Sequence, residues 1–199
     1  RDRKKGVKFH FNKRVDEIIY SNYNKIIGVK IGQKIIDSDI VVSNMDIINS
    51  YKKLLPKINM PKNLICPDLS TSAIIFYWGV KKTNQNLKLH NILFSSNYKE
   101  EFYNMDKNII NTDPTIYINI SSKENLSDAP IHCENWFVMI NVKPFKDNNW
   151  DKIVNDYREI ILKKIKKVLK MEIKNFIEYE QISDPREIEL TSSSFMGSL

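Results

Sequence analysis

Alternating apolar and polar residues dominate the first part of the chain and predict β-strands there. Residues 7–11, 26–31 and 34–42 place apolar side chains largely at every second position, which is typical of half-buried strands. Gly32-Gln33 separates the last two segments and suits a tight hairpin turn. Because the connections are short, an antiparallel meander is the simplest predicted topology.

Helical spacing appears in two places. A helix over residues 46–55 would begin at Asp46, a candidate N-cap, and end before a proline. In residues 150–169 the apolar side chains fall on one stripe and most lysines lie opposite, which predicts a helix packed on a sheet. Asn148 or Asn149 is placed to cap the start of this second helix.

Further strands are predicted around these helices, at residues 70–80, 90–94, 115–120, 136–142 and 177–181. A proline-rich stretch, residues 56–67, indicates a domain boundary. Asp184-Pro185 is interpreted as a turn. The order of the elements, strands, helix, strands, helix and strand, predicts an α+β fold.

The composition is that of a globular, basic protein. The 199 residues include 31 Lys and Arg against 24 Asp and Glu, a formal net charge of +7, and 42% are hydrophobic. Because the lysines are scattered or lie on a helix face, we predict weak attraction to an anionic membrane surface and no nucleic-acid partner. With no signal peptide and no apolar run long enough to span a membrane, we expect a cytoplasmic protein that is peripheral to a membrane.

Motifs for catalysis or metal binding are not found. The histidines, His10, His90 and His132, form no zinc-binding pattern, and Cys66 and Cys133 lack ligand spacing, so we predict no metal site. A pocket-lining role for His90 is one interpretation, and a structural role is the simpler one. Five glycines leave little from which a phosphate-binding loop could be built.

Aromatic residues are concentrated on the predicted strands of the second part. Phe76 and Trp78 fall on one face of a strand and Tyr77 on the other, and Phe94 and Trp136 lie on further strands. Such a set is compatible with the lining of a long apolar cavity. It is also typical of an ordinary core, which periodicity alone favours.

Short strings spread over almost the whole chain carry a stronger signal than any catalytic motif. They lie at residues 6–18, 39–46 (D-I-V-V-S-N-M-D), 51–56 (Y-K-K-L-L-P), 90–95 (H-N-I-L-F-S), 97–102, 113–117 (D-P-T-I-Y), 128–130 and 192–199. In this order they resemble motifs of the phytoene desaturase family, flavoenzymes that insert conjugated double bonds into carotenoids. Residues 133–141 and 183–186 are more similar to the hydroxycarotenoid 3,4-desaturase branch of that family.

The resemblance implies a domain organisation. Residues 1–55 would be part of an FAD-binding domain of the amine-oxidase-like, Rossmann type. Residues 56–180 would form a substrate-binding domain with a mixed or antiparallel sheet and packed helices, and residues 181–199 would return toward the FAD domain. The family's G-x-G-x-x-G turn and its second glycine-rich flavin segment have no match, so we expect an internal stretch of such an enzyme, inactive by itself.

The resemblance also implies a cofactor and its contacts. The backbone of Val15 would contact the adenine of FAD, and Asn44 and Met45 would lie close to the dinucleotide. A flavin is required on chemical grounds as well, because side chains supply no acceptor for hydrogen removed from a hydrocarbon.

The implied function of the parent protein is desaturation of a carotenoid, phytoene or a hydroxycarotenoid, by hydride transfer to FAD. Phe76, Trp78, Phe94 and Trp136 would help to line the carotenoid tunnel, and the positive surface would assist contact with lipid. Two alternatives stay open. One is a different flavoprotein on the same scaffold, amine-oxidase-like or retinol-saturase-like, and the other is a lipid-binding protein without catalysis.

Overall fold

Residues 5–22, 25–65, 68–81, 86–144 and 149–199 are described by the structure, a computed structural model. The chain divides into two units, Arg1–Pro67 and Asp68–Leu199. Asn148, one of the two candidate helix caps, and Cys66 lie outside the described residues. The assignment of residues 1–55, 56–180 and 181–199 to flavin and substrate domains stays a prediction.

The first unit contains a three-stranded antiparallel meander, as predicted. Its strands are β1 (Glu17–Tyr20), β2 (Ile26–Ile31) and β3 (Lys34–Asp37). The turn between β2 and β3 lies at Gly32-Gln33, where Gly32 has a φ of 59° and donates its N–H to the Asp16 carboxylate at 2.6 Å. Glycine adopts this left-handed conformation readily because it has no Cβ, which explains why the turn occurs here.

Two strand predictions in this unit are wrong. β3 ends at Asp37 rather than at residue 42, and residues 7–11 form no strand. Phe9 and Phe11 instead stack on one another, with their ring centroids 5.7 Å apart. Alternation is a local signal, whereas a strand also needs a neighbour for its backbone hydrogen bonds.

A short helix follows the meander. α1 (Ile47–Asn49) begins after Asp46 and continues as a π-helical turn, Ser50–Leu54. The Asp46 carboxylate accepts the N–H of Asn49 at 2.9 Å, which confirms the predicted N-cap. The helix ends just before Pro56, which has no N–H with which to continue it.

The second unit is built on a five-stranded antiparallel sheet with strand order β5-β6-β7-β4-β8. Its strands are β4 (Ser72–Lys81), β5 (His90–Leu93), β6 (Ile116–Asn119), β7 (Cys133–Val142) and β8 (Ile177–Ser183). Its helices are α2 (Tyr98–Asp106), α3 (Trp150–Leu169) and α4 (Pro185–Ser192). These strands confirm those predicted, with bounds that shift by a few residues, and the mixture of helices and antiparallel sheets confirms the α+β class.

α3 covers one face of this sheet, and the two elements share the core. Its apolar stripe is buried as predicted, through residues that include Tyr157, Ile161 and Ile165. The Asn149 side chain accepts the N–H of Lys152 at 3.2 Å and caps the helix. Since each fully buried large apolar side chain contributes roughly 1.5–3 kcal/mol, this layer is the main source of stability in the second unit.

α2 and α4 are missing from the elements predicted by periodicity. At the start of α2, Asn97 Oδ1 accepts the N–H of Glu100 at 3.2 Å and Asn97 Nδ2 donates to the Glu100 carboxylate at 2.9 Å. At the start of α4, the Asp184 carboxylate accepts the N–H of Arg186 at 2.8 Å, and Pro185 is the first helical residue. The predicted turn at Asp184-Pro185 is therefore wrong, because these two residues begin a helix.

A mostly buried lysine connects α3 to the loops at the ends of β5 and β6. Lys164 Nζ donates to the Asp113 carboxylate at 2.6 Å and to the carbonyl oxygens of Phe94 and Pro114, each at 2.8 Å. Burial raises the pKa of Asp113, but hydrogen bonds from Lys164 and Ser96 outweigh that effect and lower it to about 2. We call Lys164 with these three acceptors the lysine clamp. It uses all three donors of the ammonium group.

Candidate functional site

The central strands of the second unit separate two sets of aromatic side chains. Phe76, Trp78 and Trp136 point to the face beneath α3 and are at most 1% exposed. Tyr77 and Phe137, their neighbours along the chain, point to the opposite face, and Tyr77 is 38% exposed. The sheet thus has a closed face that is the core and a second face that is only partly covered.

Strand register arranges this second face into two rows that cross the sheet. The first row, from β5 to β8, consists of His90, Asn119, Phe137, Tyr77 and Gln181. The second row consists of Ile92, Tyr117, Met139, Ile75 and Ser183. We call these two rows the open face. With strands spaced at about 4.8 Å, each row extends for about 19 Å.

Aromatic contacts run along the open face. The rings of Tyr77 and Phe137 meet edge to face at 5.5 Å, and those of Phe137 and Tyr117 at 6.2 Å. The ring of Tyr117 in turn stacks on His90 at 6.1 Å. Edge-to-face pairs favour fixed ring orientations, so the middle of the open face is a preorganised apolar surface.

Three polar side chains stand together at the β5 edge of the open face. His90 Nδ1 lies 2.8 Å from the hydroxyl of Tyr117 and 3.2 Å from Nδ2 of Asn119. Because Asn119 Nδ2 can only donate, its contact requires Nδ1 to accept, which in a neutral imidazole places the ring proton on Nε2; the single lone pair of Nδ1 is then shared between the two contacts. We call His90, Tyr117 and Asn119 the edge cluster. In the described chain its side chains hydrogen-bond to one another and to no charged group.

The other end of the open face is partly covered by α4. Ile188 of α4 packs on Ala73 and Ile75 of β4. The segment after α4 returns to the start of β4, where Ser72 Oγ donates to the carbonyl oxygen of Gly197 at 2.5 Å and Leu199 N–H donates to that of Thr71 at 2.9 Å. These contacts leave the part of the face near β5, β6 and β7 as its accessible portion.

The predicted lining residues occupy different surroundings. Phe76, Trp78 and Trp136 lie in the core, where Trp78 Nε1 also donates to the Glu180 carboxylate at 2.6 Å. Phe94 follows β5 and is 67% exposed. Their contact with substrate stays a prediction, and the closed face gives it no support for the three core residues. Periodicity assigned Tyr77 to the face opposite Phe76, but nothing in the pattern identified which face α3 covers.

The predicted FAD contacts all lie in the first unit. Val15 is half-buried just before β1, and Asn44 is exposed. Met45 is half-buried just before α1, and its N–H donates to Ser43 Oγ at 3.3 Å. No distance in this unit tests their contact with a dinucleotide, which stays a prediction.

The described residues of the first unit do not fit the pyrophosphate of FAD. Gly6, Gly28 and Gly32 do not have the spacing of a G-x-G-x-x-G turn, and none of them forms a turn that leads into a helix. Ile40 and Val42, just before α1, are 78% and 89% exposed, so the unit leaves this apolar segment uncovered. The residues described here therefore do not complete a flavin site.

Metal ligation and membrane crossing find no support in the described ranges. No cluster of His, Cys, Asp and Glu side chains there could hold a metal ion. No helix there combines the length and the hydrophobicity that a membrane span requires.

Comparison with known proteins gives several relatives. No family model matches the chain. The chain is 45% identical to the 1-hydroxycarotenoid 3,4-desaturase of Flavobacterium sp., over 98% of this chain and 40% of that protein. It is 32% identical to the 4,4'-diaponeurosporene oxygenase of Staphylococcus haemolyticus, over 89% and 36%, and 29% identical to the phytoene desaturase of Fusarium fujikuroi, over 74% and 30%. The chain thus spans at most about 40% of the length of these relatives.

A solved structure shares the fold. The crystal structure of an oxidoreductase from Methanosarcina mazei superposes with a TM-score of 0.60 at 16% identity. The match covers 92% of this chain and 39% of that protein.

Proposed function

Because the chain belongs to the carotenoid desaturase family, we propose that the complete protein desaturates a hydroxylated carotenoid and that this stretch supplies part of the substrate-binding surface. These relatives confirm the family that the short strings predicted. The observation that carries the proposal is the similarity, along nearly the whole chain, to a 1-hydroxycarotenoid 3,4-desaturase. The chain spans 40% of the length of that relative, which agrees with the predicted stretch of a longer enzyme.

The open face is the proposed substrate surface. A polyene is flat, stiff and apolar, and the half-exposed side chains of Tyr77, Phe137 and Met139 offer it broad contact. Rings already oriented by edge-to-face pairing lose little freedom on binding. A row of about 19 Å is long enough to contact much of an extended polyene.

FAD is the cofactor that we propose for the complete protein. When bound, it would accept the hydride removed from the carotenoid, a role that no side chain fills. The backbone of Val15 and the residues Asn44 and Met45 are its proposed contacts in this chain. Since the described residues lack a phosphate-binding turn, the main contribution of this chain beyond these contacts is the surface that holds the substrate.

A peripheral position at the cytoplasmic side of a membrane is also part of the proposal. Carotenoids dissolve in lipid, and the net charge of +7 favours contact with an anionic surface. Flotation of the complete protein with anionic and with neutral vesicles tests this, and equal recovery with both would contradict it.

Product analysis tests the proposed reaction. The complete reading frame that encodes this chain would be expressed in a host that accumulates a hydroxylated acyclic carotenoid, with chromatography and mass spectrometry of the pigments. A product that has lost hydrogen and absorbs at longer wavelength is expected. A carotenoid that co-purifies unchanged would instead favour a lipid-binding protein.

Oxygenation is a second candidate reaction, favoured by the similarity to the 4,4'-diaponeurosporene oxygenase. The same product analysis separates the two, because an oxygenase adds oxygen to the pigment. A pigment that gains mass without further conjugation would indicate oxygenation rather than desaturation as the reaction.

Substitution of Phe137 tests the role of the open face. Phe137→Ala removes the central ring of the first row, and we expect kcat/KM to fall about ten-fold, which corresponds to about 1.4 kcal/mol of lost apolar contact. Phe102→Ala is the matched control, since this exposed ring lies on α2, where it pairs with Tyr98, and belongs to neither row of the open face. Similar losses in both variants, or no loss in Phe137→Ala, would remove the open face from the proposal.

A further inference from the structure

The outer face of α3 changes in charge along the helix. Acidic and basic residues are mixed in its first half, whereas residues 160–174 contain six lysines and one carboxylate, Glu172. Four of these lysines are exposed at helical spacing, and we call them the lysine face: Lys163, Lys166, Lys167 and Lys170. Together with Met171 and Glu172 they line an open groove of about 500 Å³.

We propose that the lysine face binds the anionic headgroups of a lipid bilayer. The inference rests on the proposed function, and it assigns the membrane contact to one surface of the second unit. Each lysine that approaches an anionic bilayer raises the partition constant by about five-fold, so several lysines on one face act together.

Contacts within the chain leave most of this positive charge available. Lys166 forms an ion pair with Glu172. Among the described residues, no carboxylate lies within ion-pair distance of Lys163, Lys167 or Lys170. The macrodipole of α3 favours cations in its last turn, but it does not account for four on one face, because lysines three and four residues apart repel each other. An anionic partner would relieve this repulsion.

Lys170 ends α3 in a conformation that lysine rarely adopts. Its φ of 54° and ψ of 33° lie in the left-handed region, where helices usually place glycine or asparagine. This conformation is less stable for lysine than for glycine, because a Cβ crowds the backbone there. The chain thus keeps a cation where glycine would stabilise the fold, which is expected if the charge serves binding.

Exposed apolar side chains lie next to the lysine face. Val168 of α3 is 50% exposed and Phe94 is 67% exposed. Lys164, the residue after Lys163, donates to the carbonyl oxygen of Phe94 at 2.8 Å, so the end of β5 lies beside this part of α3. Lysines around exposed apolar side chains are typical of surfaces that rest in a membrane interface. Because β5 also borders the accessible portion of the open face, a carotenoid that leaves the bilayer at this edge would reach the open face directly.

Vesicle flotation of the complete protein with its cofactor tests the inference. Vesicles of phosphatidylcholine are compared with vesicles that contain about 30% phosphatidylglycerol. Replacement of Lys163, Lys167 and Lys170 by Gln should weaken binding to the anionic vesicles at least about ten-fold.

The matched control lowers the net charge by the same amount at another place. It replaces three exposed lysines of the second unit, Lys99, Lys107 and Lys152, by Gln. Binding should stay within about three-fold of wild type, because salt screens charges that lie away from the contact. Equal losses in the two triple variants would assign the attraction to the net charge and overturn the inference.

Lys170→Gly separates binding from folding. It should lower the affinity for anionic vesicles about five-fold, while the urea midpoint of the protein stays at least as high as that of wild type. An affinity and a midpoint that fall together would indicate a structural role for Lys170 and contradict the inference.

Two further measurements distinguish the remaining outcomes. Binding of wild type to duplex DNA, without binding to anionic vesicles in the same salt, would replace the bilayer by a nucleic acid. For a carotenoid presented in neutral detergent micelles, turnover by every lysine variant should equal that of wild type. A wild type that binds anionic vesicles but converts no carotenoid would refute the proposed function and leave the lysine face supported.

Discussion

Phe76 and Tyr77 are adjacent in sequence but lie on opposite faces of β4. Truncating each side chain in turn therefore distinguishes an effect on folding stability from an effect on substrate binding. Phe76 is fully buried, with its ring 5.7 Å from that of Trp78, whereas Tyr77 is 38% exposed on the open face. The perturbation is the same in chemistry, since Phe76→Ala and Tyr77→Ala each remove an aromatic ring from the same strand. The two variants are therefore controls for one another.

The structure predicts different losses in the free energy of unfolding for the two substitutions. Removal of a fully enclosed phenylalanine ring costs its transfer free energy and leaves a cavity, and together these amount to about 3–5 kcal/mol. Removal of Tyr77 opens no enclosed cavity and loses mainly its pairing with Phe137, worth about 1 kcal/mol. With a urea m-value of about 2 kcal/mol/M, the unfolding midpoint should fall by about 1.5–2.5 M for Phe76→Ala and by about 0.5 M for Tyr77→Ala.

Tryptophan fluorescence is the assay, because Trp78, Trp136 and Trp150 are each at most 3% exposed and all lie in the second unit. Urea unfolding of the 199-residue chain followed in this way reports on the unit that carries both substitutions. In the complete protein, Tyr77→Ala should lower turnover at temperatures where the protein stays folded. Midpoint shifts of equal size, or a larger shift for Tyr77→Ala, would refute the assignment of the two faces.

Two further predictions concern contacts outside the sheet faces. The pKa of Asp113 is about 2 in the folded protein and about 3.9 in the unfolded chain. The lysine clamp therefore stabilises the folded state fully above about pH 4, and this contribution is lost as the pH falls toward 2. After allowance for solvent screening, the contribution to the free energy of unfolding is about 1 kcal/mol. Lys164→Met should reduce the difference between urea midpoints measured at pH 6 and near pH 2.5, and a variant as acid-sensitive as wild type would contradict the clamp. A Cβ at Gly197, where φ is 71°, would lie 2.3 Å from the Pro185 carbonyl oxygen, whereas a Cβ at Gly32 would meet nothing within 4 Å. In Gly197→Ala, a protease should therefore cleave the C-terminal segment at least about ten-fold faster than in Gly32→Ala. Equal cleavage rates in the two variants would argue against this close approach.

Much of the fold was predictable because local patterns and long-range packing agree there. The stripe of α3 and the alternation of β7 each describe an element that buries one apolar face, and the apolar run of β4 describes a strand that is buried over most of its length. Residues 7–11 alternate equally well, but in the described chain they have no strand neighbour. α2 and α4 lack a strong apolar stripe, and their signals were the caps at Asn97 and Asp184, of which the second was interpreted as a turn.

The candidate site was less predictable than the fold. Period-two alternation places Tyr77 opposite Phe76 but does not say which of two aromatic faces a distant helix covers. The edge cluster depends on the register of β5 against β6, which brings His90 beside Asn119. Because that register joins residues separated by a helix and a loop, no local pattern in the sequence encodes it.

The position of β4 in the sheet has a consequence for how the second unit is made. β4 lies between β7 and β8, and Trp78 is joined to Glu180 across 102 residues of chain. At a synthesis rate of about 5–20 residues per second, β4 emerges from the ribosome about 5–20 s before its last partner. During that interval one edge of the strand richest in buried aromatic residues has no partner, so a nascent chain of this protein would depend on chaperones at this stage more than the finished sheet does.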